Sequence, residues 1–412
     1  MNALDLGLET EKILQCLGQY GQEEGGGVTR LLYSPEWVLA QQWVEKMMRQ
    51  EGWKVNYDAV GNLFGRLEGS KFKNETILTG SHVDTVRNGG IYDGQYGIVA
   101  GIVALKHLKE KYGPPLRNIE VVSFAEEEGS RFPYVFWGVK NFFSLARRQD
   151  MEQLVDDKGI SFVEAMKQAG FDFKNEAEKV RQDVKAFLEV HIEQGGVLEI
   201  EKKSVGVVTD IAGQRRFIIE ITGEANHAGT TPMAYRKDSL HAAGSVICAL
   251  IELAKSYGDP MVATVGKLEV TPNVSNVVPG KTVFTLDTRH TDAARLKAFT
   301  EEATDKMKNI AADMGVEISV NMWMDGAPTP MDRRLVDILV KHCRENGLNF
   351  KKMHSGAGHD SQIMAQFVPT AMVFAPSHMG ISHSPLEYTA PQDLGEGIRA
   401  LMGALYELAY TE

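Results

Sequence analysis

Two hydrophobic periods alternate along the first half of the chain. WVLAQQWVEKMMRQEG (37–52) spaces its apolar residues as one face of a helix and stops at a glycine. WKVNYDAVGNLFGRLEG (53–69) instead reads as two short strands around the turn residues Gly61 and Asn62, a hairpin. There follow a strand TILTG (76–80), a helix YGIVAGIVALKHLKEKYG (96–113), a strand NIEVVSFA (118–125) and a strand AFLEVHI (186–192), with helical stretches between them. Strands alternating with helices predict an α/β fold, a mixed, mostly parallel sheet covered by helices on both faces. Ligands of such sheets gather at the carboxyl ends of the strands.

The middle of the chain has another texture. QRRFIIEITGEA (214–225) alternates like a half-exposed strand, DSLHAAGSVICALIELAKSYG (238–258) is a long helix, MVATVGKLEVT and KTVFTLDTRH are strands, and 291–314 is helical. That order predicts an α+β sandwich of two helices on an antiparallel sheet. LVDILVKHCRENG, the strand TAMVFAPS (370–377) and a helix from about Asp393 then restore the α/β texture. The expected organisation is a discontinuous larger domain, 1–210 with 325–412, and an inserted domain, 211–324. No internal repeat or low-complexity segment interrupts it.

Length and charge narrow the partners. At 412 residues and 43% hydrophobic the chain can bury more than one core, and its net charge of −11, without a lysine or arginine block, disfavours nucleic acid and anionic membrane. Three dispersed cysteines (Cys16, Cys248, Cys343) form neither a disulfide framework nor a zinc-cysteine spacing, as suits a reducing compartment. The first residues carry no basic, apolar leader, and no apolar run reaches a membrane span. A soluble cytoplasmic protein acting on a small molecule is expected.

Candidate chemistry collects where the predicted strands end. His82 and Asp84, two apart, point the same way, so Asp84 can fix the His82 ring from behind; glycines then allow Asp93 to turn back over the same point. Glu126, Glu127 and Glu128 crowd three carboxylates at the next strand end, where repulsion calls for a cation. His191 in EVHIEQGG and His383 in GISHSPLEY each follow a strand as well. A surface pair or a solvated acidic loop explains any one cluster, but not four at the same edge. His82, Asp93, Glu128, His191 and His383 are enough for two divalent ions roughly 3.5–4 Å apart sharing one carboxylate, which leaves Glu127 as general base. Nitrogen and oxygen ligands without thiolate suit zinc or manganese, with cobalt or nickel also compatible. His359 and Asp360 in GAGHD read as pocket wall, the ligand set being full, and Trp137 with Phe136 reads as core packing beside the glutamates. Taken alone, Arg289 reads as a strand-end surface charge and His227 as part of a capping turn.

In order, SHVDT, GGIYDG, EEEGSRF, HIEQG, NHAGTTPM and GISHSP resemble the motifs of the dinuclear-metal amidohydrolases in the aminoacylase, carboxypeptidase and carbamoylase superfamily, from about Ser81 to Glu387. EEEGSRFPYVFWGVKN (126–141), GQRRF (213–217), PNVSNVVPGK (272–281), HTDAA (290–294) and MHSGAGHDSQI (353–363) are most similar to its allantoate-cleaving branch. The resemblance implies that His82 and His191 hold one metal ion, Glu128 and His383 the other, and that Asp93 bridges them. It makes Glu127 the base, with Asp84 beside it in the catalytic set. His227 would reach a partner subunit's site and stabilise the oxyanion, Asn276 and Arg289 would bind a substrate carboxylate, and Gln194 and Gln214 would contact ureido groups. A homodimer formed through the inserted lid domain is implied too. The implied activity is hydrolysis of a ureido C–N bond of allantoate, in purine breakdown, giving ureidoglycine, ammonia and carbon dioxide. N-carbamoyl-L-amino acids or β-ureidopropionate are the alternative substrates. A binding protein that had lost catalysis should lack a ligand or the base, and all six residues are present. An aminopeptidase would need a site for an α-amine, whereas Arg289 and Asn276 suit an anion.

Overall fold

The computed structural model describes residues 2–174 and 180–412, and the chain divides into two units, Met1–Thr209 with Pro330–Glu412, and Asp210–Thr329. In the larger unit the strands lie in the order Lys54–Tyr57, Leu63–Leu67, Arg117–Phe124, Phe72–His82, Val184–Ile192, Thr370–Ala375 and Val205–Ile211. From Arg117–Phe124 to Thr370–Ala375 the neighbours run parallel; the hairpin at one end and Val205–Ile211 at the other pair antiparallel. The parallel run is apolar at successive positions because both its faces are covered. Leu78, Val122, Phe124 and Phe187 pack with Val139 and Phe142 of the helix Trp137–Phe142 in one cluster. The helices Ala3–Gly18, Gln95–Tyr112 and Pro391–Tyr410 contact one another in a second layer.

The helix Gln95–Tyr112 lies very close to the sheet. A Cβ on Gly97 would stand 2.5 Å from the Val190 carbonyl oxygen and 2.6 Å from the Ser81 Cβ, so only glycine lets the helix start beside the residues preceding His191 and His82. Gly94, just before the helix, has φ +72 and a Cβ there would strike the His82 ring.

The smaller unit packs the helices Ser239–Tyr257 and Ala293–Asp313 on an antiparallel sheet ordered Leu268–Thr271, Lys281–His290, Gly213–Thr222, Glu317–Gly326, with Val262–Thr264 also beside Lys281–His290. Phe217, Ile219, Ile221, Leu250, Phe284 and Phe299 are in its own core. A short ribbon joins Asn226–His227 to Val277–Val278. Strands Val205–Ile211, Glu317–Gly326 and Phe350–Ser355 lie outside the sequence-based reading, and the last helix starts at Pro391 rather than Asp393. Trp137 is fully buried and donates to the Tyr33 hydroxyl at 2.8 Å, a core residue as its pattern suggests.

Candidate metal centre

The parallel strands deliver their polar residues to one edge. His82 is the last residue of its strand, His191 the penultimate residue of its own, the three glutamates follow Phe124, and His383 follows the strand Thr370–Ala375. The loop after His82 brings Asp93 between them. Asp93 Oδ1 lies 3.6 Å from His82 Nε2 and 3.2 Å from His191 Nε2, while Oδ2 lies 3.2 Å from His383 Nε2. His383 Nε2 is in turn 3.5 Å from Glu128 Oε1. Two trios thus share one carboxylate, His82–Asp93–His191 and Asp93–Glu128–His383, with the donor atoms of each within 4.8 Å of one another. Glu127 forms a further trio with His82 and Glu128.

Hydrogen bonds behind the donors aim them. His191 Nδ1 donates to the Ile192 carbonyl at 2.9 Å, which turns Nε2 toward Asp93 as the atom a cation would take once its proton is displaced. His82 Nδ1 is similarly placed against Asp84, 3.1 Å from its carbonyl and 3.2 Å from Oδ1. Asp84 does more than hold that ring: its two oxygens accept the backbone N–H groups of Glu127 and Glu128 at 3.0 and 3.2 Å, fixing the acidic loop to the His82 loop. Asn62 Oδ1 accepts the Ala125 N–H at 2.8 Å at the foot of the same loop.

The buried charges are out of balance without a cation. Burial, with Asp84, Glu127 and Glu128 nearby, pushes the Glu126 carboxyl well above its usual range, and neither of its oxygens has a hydrogen-bond partner among the described residues. Burial raises Glu127 and Glu128 as well, each surrounded by other carboxylates. Burial also favours neutral Asp93, but hydrogen bonds from His191, His383 and His82 outweigh it and hold that carboxyl well below its usual range. His383, hydrogen-bonded to Asp93, is raised to about 9. Three imidazoles, two of them buried, with the carboxylates of Asp93, Glu127 and Glu128 close around them, are the donor set of a divalent-cation site.

His82, Asp84, Asp93, Glu127, Glu128, His191 and His383 therefore come together. Gln194 does too, its Nε2 donating to Asp93 Oδ2 at 2.8 Å. His227, Asn276, Gln214 and Arg289 belong to the smaller unit. Arg289 and Gln214 both donate to Asp287, Arg289 through Nε at 3.0 Å and Nη2 at 3.1 Å, Gln214 through Nε2. Asn276 accepts the Ala228 N–H through its carbonyl at 2.9 Å, next to His227 in the ribbon. His227 Nδ1 accepts the N–H groups of Gly229 and Thr230 at 3.0 and 3.2 Å, so its proton sits on Nε2, which is a donor.

Two residues, Glu189 and Arg30, escaped the sequence reading, and a third is placed otherwise than it was read. His359, read as pocket wall, packs edge-on against His191 with ring centroids 4.5 Å apart and forms a potential ligand trio with Glu189 and His191. Glu189 accepts from Ser81 Oγ at 2.7 Å and Ser361 Oγ at 2.6 Å; a glutamate inside the otherwise apolar AFLEVHI was the available signal. Arg30, wholly buried, donates to the carbonyls of Leu17, Tyr20 and Val83, and burial brings its pKa down to about 9; nothing local in VTRLLYS marks it.

Known proteins resemble this chain along nearly its whole length. The chain is 52% identical to the allantoate amidohydrolase of Escherichia coli (strain K12), with 98% of each covered, and 44% identical to that of Bacillus subtilis (strain 168), with 96% of each covered. A crystal structure of an amidase of the hydantoinase/carbamoylase family from Burkholderia multivorans superposes with a TM-score of 0.92 at 33% identity, covering 97% of both chains. Residues 78–407 match peptidase family M20/M25/M40, and since that match takes in every donor from His82 to His383, the protein belongs to this family.

Proposed function

We propose that the protein is a metal-dependent amidohydrolase that cleaves a ureido C–N bond of allantoate. The observation that carries this reading is the 52% identity, over 98% of the chain, to an enzyme named for that activity. It is supported by the pair of donor trios joined at Asp93. His82 and His191 would hold one divalent ion, Glu128 and His383 the other, and Asp93 both. Ions so held supply Lewis acidity, polarising the ureido carbonyl and lowering the pKa of water.

The protein's own groups then move the protons. Glu127, ionised, takes a proton from the attacking water and returns it to the departing nitrogen; burial strengthens its hold on that proton in between. The bond between the ureido carbon and the substituted nitrogen breaks, releasing ureidoglycine and carbamic acid, which falls apart to ammonia and carbon dioxide. Asp84 keeps His82 and the glutamate loop in register. His227, with its proton on Nε2, supplies a donor suited to the developing oxyanion, and in this reading it does so across a homodimer. Arg289, Asn276 and Gln214 provide donors for the substrate carboxylate and ureido groups. Gln194, tied to Asp93, serves the centre itself. Manganese or zinc is the expected metal, and three free cysteines suit the cytoplasm as the site of action.

The carbamoylase likeness in the superposed amidase supports N-carbamoyl-L-amino acids as the second reading. Ammonia release from allantoate, set beside a panel of N-carbamoyl-L-amino acids and β-ureidopropionate, decides between them. Allantoate should lead in kcat/KM by about tenfold or more, which is about 1.4 kcal/mol in transition-state binding. A carbamoyl amino acid in the lead transfers the protein to the second reading.

A further inference from the structure

Asp93 has to offer one oxygen to His82 and His191 and the other to His383. Its loop, VRNGGIYDG, has glycines at 89, 90 and 94 and no helix or strand at Asp93 to hold it. The constraint comes from Glu387, almost three hundred residues away in sequence and only 6% exposed. Glu387 Oε1 accepts two backbone N–H groups, Tyr92 and Asp93, both at 3.0 Å. Its Oε2 accepts the Ser382 hydroxyl at 2.8 Å, and Ser382 Oγ is also 3.1 Å from Asp93 Oδ2. The Glu387 N–H closes a turn onto the Ser384 carbonyl at 3.0 Å, which folds the carboxylate back beside the residue next to His383.

We infer that Glu387 is a positioning residue of the metal centre, a clamp that joins the Asp93 loop to the His383 loop and sets the shared carboxylate between both donor trios. Gly90 shows independently how closely the carboxylate is seated: a Cβ there would lie 2.1 Å from Glu387 Oε1 and 2.5 Å from its Cδ. Gly90 is therefore the opening through which the clamp closes. One side-chain oxygen accepting from two adjacent amides fixes a loop that has no regular structure of its own. Outer groups of this kind typically change metal affinity by 10–100-fold when removed.

The inference rests on the reading of this cluster as a two-ion centre, and the test separates the two. Manganese(II) is titrated into metal-free wild type, Glu387→Ala, Glu387→Gln and Gly90→Ala against a chelating dye, with melting temperature followed in the metal-free proteins. Glutamine keeps one oxygen for both amides and turns its amide group to Ser382, whose hydroxyl can then serve Asp93. Glu387→Ala should weaken the more loosely held ion by about tenfold or more, Gly90→Ala should follow it, and Glu387→Gln should stay within about threefold of wild type. If Glu387→Ala binds both ions like wild type, or if Glu387→Gln loses as much as Glu387→Ala, there is no clamp. A uniform fall in metal-free melting temperature with unchanged affinity would make Glu387 merely structural and overturns the inference too. Wild type binding fewer than two ions overturns the two-ion reading, and the clamp with it.

Discussion

Glu127 is held by its backbone, and among the described residues no hydrogen bond ties its carboxylate, which suits the proton carrier proposed above. Its N–H goes to Asp84 Oδ1 at 3.0 Å and its carbonyl accepts the Phe136 N–H at 2.8 Å, so its backbone cannot drift. Glu128, one residue on, has the same backbone anchor but its carboxylate faces His383. In the proposed mechanism the adjacent glutamates thereby take different tasks. Replacing Glu127 with Gln keeps the size and the anchors and removes the base, so ammonia release from allantoate should fall by about 10²-fold or more. Metal content, measured by atomic emission after purification without added ions, should stay at the wild-type value. Because Glu127 also forms a trio with His82 and Glu128, loss of an ion in this variant would reassign it from base to ligand.

At the scale of elements, the close approach of helix to sheet is what lets the donors meet. Gly97→Val would drive methyl groups into the Val190 carbonyl and Ser81, the residues just before His191 and His82. It should cost about 1–3 kcal/mol by overpacking and weaken manganese(II) binding as well. Gly244, exposed on the helix Ser239–Tyr257 with open space where a Cβ would stand, should respond oppositely, Gly244→Ala gaining about 0.4–1 kcal/mol. Urea unfolding of the two metal-free variants checks both signs. Strand ends carrying His82, Glu126 to Glu128 and His191 were legible because each apolar run stops at its polar residue. The strand Glu317–Gly326 was not, since Met322 and Trp323 lie exposed and a register shift between Met322 and Met324 breaks the alternation. Phe350–Ser355 carries two lysines and reads as a loop until the neighbouring Val205–Ile211 is seen to pair with it. Among site residues, Glu387 and Arg30 act through contacts far apart in the chain, and no local spacing encodes those. Gln194 was legible as a site residue, whereas its contact with Asp93 depends on that residue arriving from another loop.

For the whole molecule, the two units carry different loads. Every potential ligand group among the described residues lies in the larger unit, whereas the smaller unit is held by a core of its own that includes Phe217, Leu250, Phe284 and Phe299. Ions that bind only the folded larger unit stabilise it by about 2.7 kcal/mol at a hundred times their dissociation constant. Protons compete for the same groups. Glu127, Glu128, His82 and His191 are raised above their usual values in the metal-free protein and His383 to about 9, so each favours its protonated form there. An ion must displace those protons, and fewer remain as pH rises. Metal affinity, and the stability it confers, should therefore increase with pH up to about 9, where His383 loses its proton. Calorimetry with and without a chelator at pH 6 and pH 8 reads this directly. Chelation should lower the unfolding transition of the larger unit, by more at pH 8 than at pH 6, and leave that of the smaller unit in place. Equal shifts of both transitions, or a larger effect at pH 6, would mean that the buried carboxylates and imidazoles are balanced without ions.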